Sequence, residues 1–240
     1  FLYLPHTMVH FPLSVSKQFE GRTGKLIWDA IEEVDWSVGQ ILKTVKELGI
    51  DKKTLVIFTS DNGAAVGSSL PLRSRKGSVY DGGIREPTVM WWPGKVPPGK
   101  VCHEVAASID LLPTLANLSG GKLSDRKIDG KDIWPLMSGQ SGAKSPHENY
   151  VLMHGLGTVR SGKWKFYPWR EGKGGRRDAP KGKPSDFPVQ LYDTVSDIGE
   201  TKNLAAGYPD VIKRPTVTMI RPKGALSANR PAKPRNPGKK

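Results

Sequence analysis

The stretch Leu55-Val56-Ile57-Phe58-Thr59-Ser60-Asp61-Asn62-Gly63 decides the fold of this chain. It begins as a short apolar run with β-branched residues, which is typical of a buried parallel strand, and it ends in a carboxylate and an amide. In open α/β sheets, ligands bind at the carboxyl ends of the strands. Asp61 and Asn62 therefore stand where a ligand is expected, although Asx-Gly is also a common turn signal. Their oxygen atoms suit Ca²⁺ or Mg²⁺ rather than zinc.

A group of basic residues follows this stretch. Lys76 comes 14 positions after Asn62, between Arg75 and Gly77, and Arg73 stands just before them. A solvated loop is the usual place for a lysine. Cations close to a metal site, however, suit an oxyanion such as a sulfate or a phosphate. The sequence therefore predicts an anion contact at Lys76, with Arg73 and Arg75 as weaker candidates for substrate recognition.

The rest of the chain alternates between helix and strand patterns. Apolar residues recur at helical spacing from Trp28 to Leu48, and Gly49 is placed to end that helix. Residues 1–4 and Thr88–Trp92 are interpreted as strands, the former as the end of a buried one, and Asp110–Leu118 as a helix. This order predicts a doubly wound α/β fold. After about residue 150, short strands at 151–153, 158–160, 164–167 and 189–192 predict a small antiparallel sheet.

Three regions are therefore predicted. Residues 1–150 would form part of an α/β catalytic domain, and 151–212 a small antiparallel α+β subdomain. Residues 213–240 would form a basic, Pro-rich, disordered tail. The net charge of +14 is concentrated in residues 160–240, where 19 Lys/Arg stand against 7 Asp/Glu. Such a tail can bind acidic glycans, nucleic acid or anionic membranes, or it can simply be solvated.

Five blocks of sequence resemble one enzyme family, the type I formylglycine-dependent sulfatases of the arylsulfatase group. T-S-D-N-G at 59–63 is followed by R-K-G-S-V-Y-D-G-G-I-R-E-P at 75–87, which resembles the family's G-K-G-x-x-x-E-G-G-x-R-x-P. Arg75 replaces a small residue there and Asp81 a glutamate. The other blocks are the His-x-Pro of His10 and the segments at 108–115, 129–136 and 191–204. The resemblance extends to about residue 212 and fails at Arg214-Pro215.

This resemblance implies a fold, an activity and a set of site residues. The fold would be alkaline-phosphatase-like, with a mixed or parallel sheet flanked by helices. The activity would be hydrolysis of a sulfuric ester, either an aryl sulfate or a sulfated sugar. Asp61 and Asn62 would hold Ca²⁺, which is preferred over Mg²⁺. Lys76 and His10 would be catalytic and would bind the sulfate, and Arg75 would bind substrate. Arg85 would be structural and would pair with a carboxylate.

The nucleophile of that family does not occur in this sequence. It is a formylglycine made from the cysteine of a C-x-P-S-R motif, whereas the only cysteine here, Cys102, is followed by His103-Glu104-Val105. We therefore expect formylglycine to lie in a missing N-terminal part and this chain alone to be inactive. By family analogy, the parent would be periplasmic, secreted or lysosomal. No run of 18 apolar residues predicts a membrane span.

Two alternatives remain open at this level. One is a phosphatase or phosphonate hydrolase of the same superfamily, which would typically use two zinc ions and more His and Asp ligands. The other is a non-catalytic piece whose basic tail binds acidic glycans. Nothing in the sequence resembles a nucleic-acid-binding fold, so no nucleic acid partner is expected, and the oligomeric state is not indicated.

Overall fold

The computed structural model describes residues 1–152, 158–167 and 189–213. The chain divides into two compact units. The first unit comprises Phe1–Ile57 with Met90–Gly99, and the second comprises Phe58–Val89 with the residues from Lys100 onward. The predicted boundaries near residues 150 and 212 therefore stay predictions. The predicted basic tail lies outside the described residues, except for its first residue, Lys213.

A long helix dominates the first unit. Helix α1, Leu26–Glu47, confirms the helix predicted from the apolar spacing, and the chain leaves it through Gly49 at a positive φ of 65°. The side chain of Asp29, in the first turn of α1, accepts hydrogen bonds from the backbone of Gly21 and from Thr23, which both precede the helix. These bonds, led by the one from the Thr23 hydroxyl, lower the pKa of Asp29 and hold the preceding loop against the first turn.

Strands β1, Val56–Thr59, and β2, Thr88–Trp91, form a two-stranded sheet. The hydroxyls of Thr59 and Thr88 are 2.9 Å apart, so the end of β1 lies beside the start of β2. Both strands occur where the sequence predicts them. The burial expected for β1 is only partial, because Val56 and Ile57 are half-buried while Phe58 is exposed.

The prediction of a buried strand at residues 1–4 is wrong for this structure. Phe1 to Leu4 form no strand and are exposed, Phe1 and Leu2 most of all. A strand requires a partner for its backbone N–H and C=O groups. No described residue pairs with this segment. Apolar composition alone does not provide a partner strand.

Three α-helices follow one another in the described part of the second unit. They are α2, Asp81–Ile84; α3, Leu111–Ser119; and α4, Trp134–Met137. Helix α3 matches the helix predicted from Asp110, and Gly120 ends it at a φ of 70°. The buried Asp110 carboxylate accepts N–H bonds from Ala107 and Lys131, and the ring of His147 lies 2.8 Å from it. Asp110 therefore ties together the segments that enter α3 and α4.

A four-stranded antiparallel sheet completes the second unit, as predicted. Its strands pair in chain order: β3, Tyr150–Leu152; β4, Thr158–Ser161; β5, Trp164–Tyr167; and β6, Gln190–Asp193. Its core is Val159, Phe166 and Leu191, each at most 2% exposed, with Val211 and Ile212 packed against it. Within the described ranges, no helix is both long and apolar enough to cross a membrane.

Candidate functional site

The segments that carry Asp61, Asn62 and Lys76 are joined by backbone hydrogen bonds within the second unit. The N–H of Gly63, directly after Asn62, donates to the carbonyl of Gly83 in α2 at 3.0 Å. The N–H of Lys76 donates to the carbonyl of Ala64 at 3.1 Å. The two candidate metal ligands and the candidate anion-binding lysine are thus carried on neighbouring, directly bonded segments.

Three glycines allow these segments to approach so closely. A Cβ on Gly63 would lie 1.9 Å from the carbonyl oxygen of Gly82. A Cβ on Gly82 would lie 2.3 Å from the carbonyl oxygen of Ser74, and one on Gly83 would lie 2.3 Å from that of Ser78. Because the neighbours are backbone atoms rather than flexible side chains, only glycine fits at these three positions. The G-G of the D-G-G-I-R block is therefore explained by packing.

Arg75 and Lys76 lie in a turn of the same region. The N–H of Gly82 donates to the carbonyl of Arg73 and that of Ser78 to the carbonyl of Arg75, so the turn folds back on α2. Lys76 is half-buried, whereas Arg75 is exposed and lines a small cavity of about 260 Å³. Serines and leucines supply most of the remaining lining. The arginine therefore stands at an open recess with both polar and apolar lining.

Glu86 is a candidate site residue that the sequence analysis did not single out. Both of its carboxylate oxygens are buried, and neither has a hydrogen-bond partner among the described residues. Burial, and then the negative charge of Asp61, raise the pKa of Glu86 to about 7. No sequence pattern marks it, because the relation of Glu86 to Asp61 depends on the bond between Thr59 and Thr88, which only the fold shows.

This uncompensated negative charge bears on the expected metal. A buried carboxylate without a partner is costly unless a cation compensates it. The carboxylates of Asp61 and Glu86 and the side-chain amide oxygen of Asn62 are donors of the kind that Ca²⁺ prefers. The residues present therefore fit a calcium ion. Over the residues that the structure describes, no group of three or more His, Cys, Asp or Glu residues forms a complete metal site.

The other sequence candidates have different surroundings. His10 belongs to the first unit, where it is exposed and its Nδ1 lies 2.8 Å from the carbonyl oxygen of Phe11. Arg85 pairs with Asp81 at 3.8 Å, as expected of a structural residue. The guanidinium of Arg73 donates to the Tyr192 hydroxyl and lies over the Tyr80 ring, 3.8 Å from its centre. Arg73 is thus engaged in packing rather than presented to a substrate. Cys102 is exposed.

Comparison with known proteins assigns the chain to a family. Residues 1–121 match the sulfatase family model. Human arylsulfatase A is 36% identical over 89% of this chain and 46% of its own length. The N-acetylgalactosamine-6-sulfatase of Rattus norvegicus is 44% identical over 57% of this chain and 28% of its own length. The chain thus spans about half the length, or less, of these curated relatives.

Solved structures agree with this assignment. A Bacteroides thetaiotaomicron sulfatase, described in work on glycosaminoglycan metabolism, superposes with a TM-score of 0.75 at 25% identity. The match covers 92% of this chain and 48% of that protein. It confirms the predicted alkaline-phosphatase-like α/β fold, present here in part. The sulfatase model over half of the chain, together with these relatives, shows that the chain belongs to the sulfatase family.

Proposed function

We propose that the complete protein containing this sequence hydrolyses sulfuric esters, and that this chain contributes part of its metal and sulfate site. The observation that supports the proposal is the pair of backbone bonds, Gly63 to Gly83 and Lys76 to Ala64, that join the segments carrying the Asp-Asn pair and the lysine. An oxygen-donor pair next to an ammonium group suits a divalent cation that shares an oxyanion with a lysine. Membership of the sulfatase family makes sulfate the expected oxyanion.

Calcium is the metal we propose for this site. Asp61 would bind it through a carboxylate oxygen and Asn62 through its side-chain carbonyl, and Glu86 supplies further negative charge. When bound, Ca²⁺ would neutralise negative charge on the sulfate oxygens as the ester bond breaks. The remaining ligands would come from outside these 240 residues.

Lys76 has the central role among the residues of this chain. Its ammonium group would donate hydrogen bonds to a sulfate oxygen and to the oxygen of the departing alcohol, stabilising the charge that develops there. His10 would hydrogen-bond the sulfate or transfer a proton, which an imidazole can do near neutral pH. Arg75, at the edge of the neighbouring cavity, would contact the part of the substrate beyond the sulfate.

The attacking group would also come from outside this chain. We propose the formylglycine of the family, since the sequence around Cys102 lacks the C-x-P-S-R pattern. Formylglycine would supply the nucleophile for the sulfur atom, and Lys76 or His10 of this chain would supply the proton with which the alcohol departs. It follows that the isolated chain would have no turnover.

An aryl sulfate or a sulfated sugar is the substrate class that we propose. The relatives support it by their names, since one is an arylsulfatase and another acts on an N-acetylgalactosamine 6-sulfate. Sulfated glycans are met outside the cytoplasm, so we propose a periplasmic, secreted or lysosomal location for the complete protein.

The test compares two esters of the same alcohol. The complete protein should hydrolyse 4-nitrophenyl sulfate much faster than 4-nitrophenyl phosphate. Removal of calcium with a chelator should abolish the activity, and added Ca²⁺ should restore it. Asp61→Asn should need more Ca²⁺ for half-maximal rate, because it removes the charge of one ligand. A preference for the phosphate ester, or restoration by zinc but not by calcium, would contradict the proposal and favour a phosphatase.

A further inference from the structure

A buried cluster of charged and polar side chains lies behind the candidate site. We define it as Lys165 of β5, Asp81 of α2, Glu200 and Tyr167. Lys165 is 1% exposed and Glu200 is fully buried. The ammonium group of Lys165 binds a carboxylate oxygen of Asp81 and lies 3.3 Å from Oε1 of Glu200, and the Tyr167 hydroxyl donates to the same oxygen. Every charge in the cluster therefore has an opposite charge or a hydrogen-bond partner.

Tyr167 is buried as well, with 5% of its surface exposed. Burial, and then the adjacent Glu200 carboxylate, raise the pKa of the phenol far above its usual range. The phenol therefore stays protonated and donates a hydrogen bond to the Glu200 carboxylate. Arg160 approaches Asp81 at 4.0 Å from the neighbouring strand, and burial lowers its pKa.

Glu200 also has an unusual backbone conformation. Its φ is 51°, in the left-handed region that residues with a Cβ adopt infrequently. Its N–H donates to the carbonyl of Asp197, which closes a tight turn, and the Asp197 side chain accepts N–H bonds from Thr201 and Lys202. A strained, fully buried acid persists only where its surroundings hold it, and such residues concentrate near functional sites.

The cluster is bonded to the segments that carry the candidate site. Oε2 of Glu200 accepts the N–H of Asp81, the first residue of α2, at 2.7 Å. The carbonyl of Glu200 accepts a bond from the guanidinium of Arg73 at 2.8 Å. Helix α2 in turn bonds Gly63 through its Gly83 carbonyl, and the N–H of Gly82 bonds the Arg73 carbonyl. Glu200 thus contacts both α2 and the turn that leads to Lys76.

We propose that Glu200 and Lys165 are positioning residues, which act through α2 to set the Asp61-Asn62 pair and Lys76 in their working geometry. This inference rests on the proposed function. Burying ions is an inefficient way to gain stability, since apolar residues often serve as well. The buried cluster, by contrast, makes several directional hydrogen bonds, and these bonds fix the positions of β5, the turn at Glu200 and α2 relative to one another. Outer partners of this kind affect a metal site through the residues they orient.

The experiment compares two isosteric substitutions in the complete protein. Glu200→Gln keeps the shape but removes the charge that faces Lys165. Asp193→Asn is the matched control, because Asp193 pairs with the half-exposed Lys163 of the turn between β4 and β5, and it is the last residue of β6 before the turn at Glu200. Two quantities are measured: the dissociation constant of Ca²⁺ by calorimetry, and the Ca²⁺ concentration for half-maximal hydrolysis of 4-nitrophenyl sulfate. Both are measured below the unfolding temperature of each variant.

We expect both quantities to rise about tenfold in Glu200→Gln, with high Ca²⁺ recovering part of the activity, and to stay within about twofold of wild type in the control. If Glu200→Gln does not fold, Tyr167→Phe removes one hydrogen bond to Glu200 and should give a smaller rise, about threefold. Unchanged Ca²⁺ dependence in the folded variant would overturn the inference. A wild-type protein without calcium-dependent sulfate hydrolysis would instead overturn the proposed function.

Discussion

Gly63→Ala tests the packing that joins the candidate metal pair to α2. The new Cβ would lie 1.9 Å from the Gly82 carbonyl oxygen, whereas contacts below 3.0 Å are essentially never seen. The two segments must therefore separate by about 1 Å, which also weakens the bond from the Gly63 N–H to the Gly83 carbonyl. Overpacking of this kind costs about 1–3 kcal/mol, and a displacement of about 1 Å can lower a rate about 100-fold.

The assay for Gly63→Ala uses the complete protein. We expect a lower free energy of unfolding in denaturant and a kcat/KM for 4-nitrophenyl sulfate that falls by about 100-fold. Gly207→Ala is the control, because no atom of the described residues lies within 4 Å of its Cβ position. It should change neither quantity by more than the error. If Gly63→Ala keeps wild-type stability and activity within about threefold, the close packing described here is not what holds the site together.

Two further substitutions test the charges. Glu86 has a folded-state pKa of about 7 against an ordinary 4.5, so the folded state holds this proton more tightly than the unfolded chain does. In calcium-free buffer, the free energy of unfolding should therefore fall as pH rises from about 4.5 to about 7. Glu86→Gln should remove the contribution of Glu86 to this pH dependence, measured by urea titrations across the range. An unchanged pH dependence in the variant would contradict the raised pKa of Glu86. Lys165→Met leaves the Asp81 and Glu200 carboxylates without their buried cation, which should cost about 3–5 kcal/mol. The half-exposed Lys163 is the control, and Lys163→Met should cost less than about 1 kcal/mol; equal losses in the two variants would argue against a special role for the buried cluster.

Local sequence patterns predict the elements of this chain well. The apolar spacing predicts α1, and Gly49 predicts where it ends. This works because the residues that share one face of a helix are only three and four positions apart in sequence. The D-N-G and K-G blocks are close in sequence, and short backbone bonds join them. The short strands after residue 150 are also apparent, since turn residues separate them.

Long-range pairing is what the sequence does not reveal. Lys165 reaches Asp81 across 84 positions, and Asp81 reaches Glu200 across 119. A lysine in a sequence is ordinarily expected to be solvated, so its burial in β5 is not predicted. The exposed Phe1–Leu4 segment shows the converse, because apolar composition indicates a buried strand only if other residues supply its partner. Arg73 resembles a substrate ligand in sequence, and only the fold shows that it packs on Tyr80.

Lys76 offers the most direct test of the central claim, which is that this chain supplies the ammonium group that stabilises the charge developing on the departing alcohol. The measurement is the kcat of the complete protein for 4-nitrophenyl sulfate at saturating Ca²⁺, compared between Lys76→Ala and Lys144→Ala. Lys144 is an exposed lysine of the same unit that pairs with Glu104. We expect Lys76→Ala to lower kcat by about 100- to 1,000-fold and Lys144→Ala to leave it unchanged. A Lys76→Ala variant that folds, binds Ca²⁺ and keeps wild-type kcat would contradict the claim.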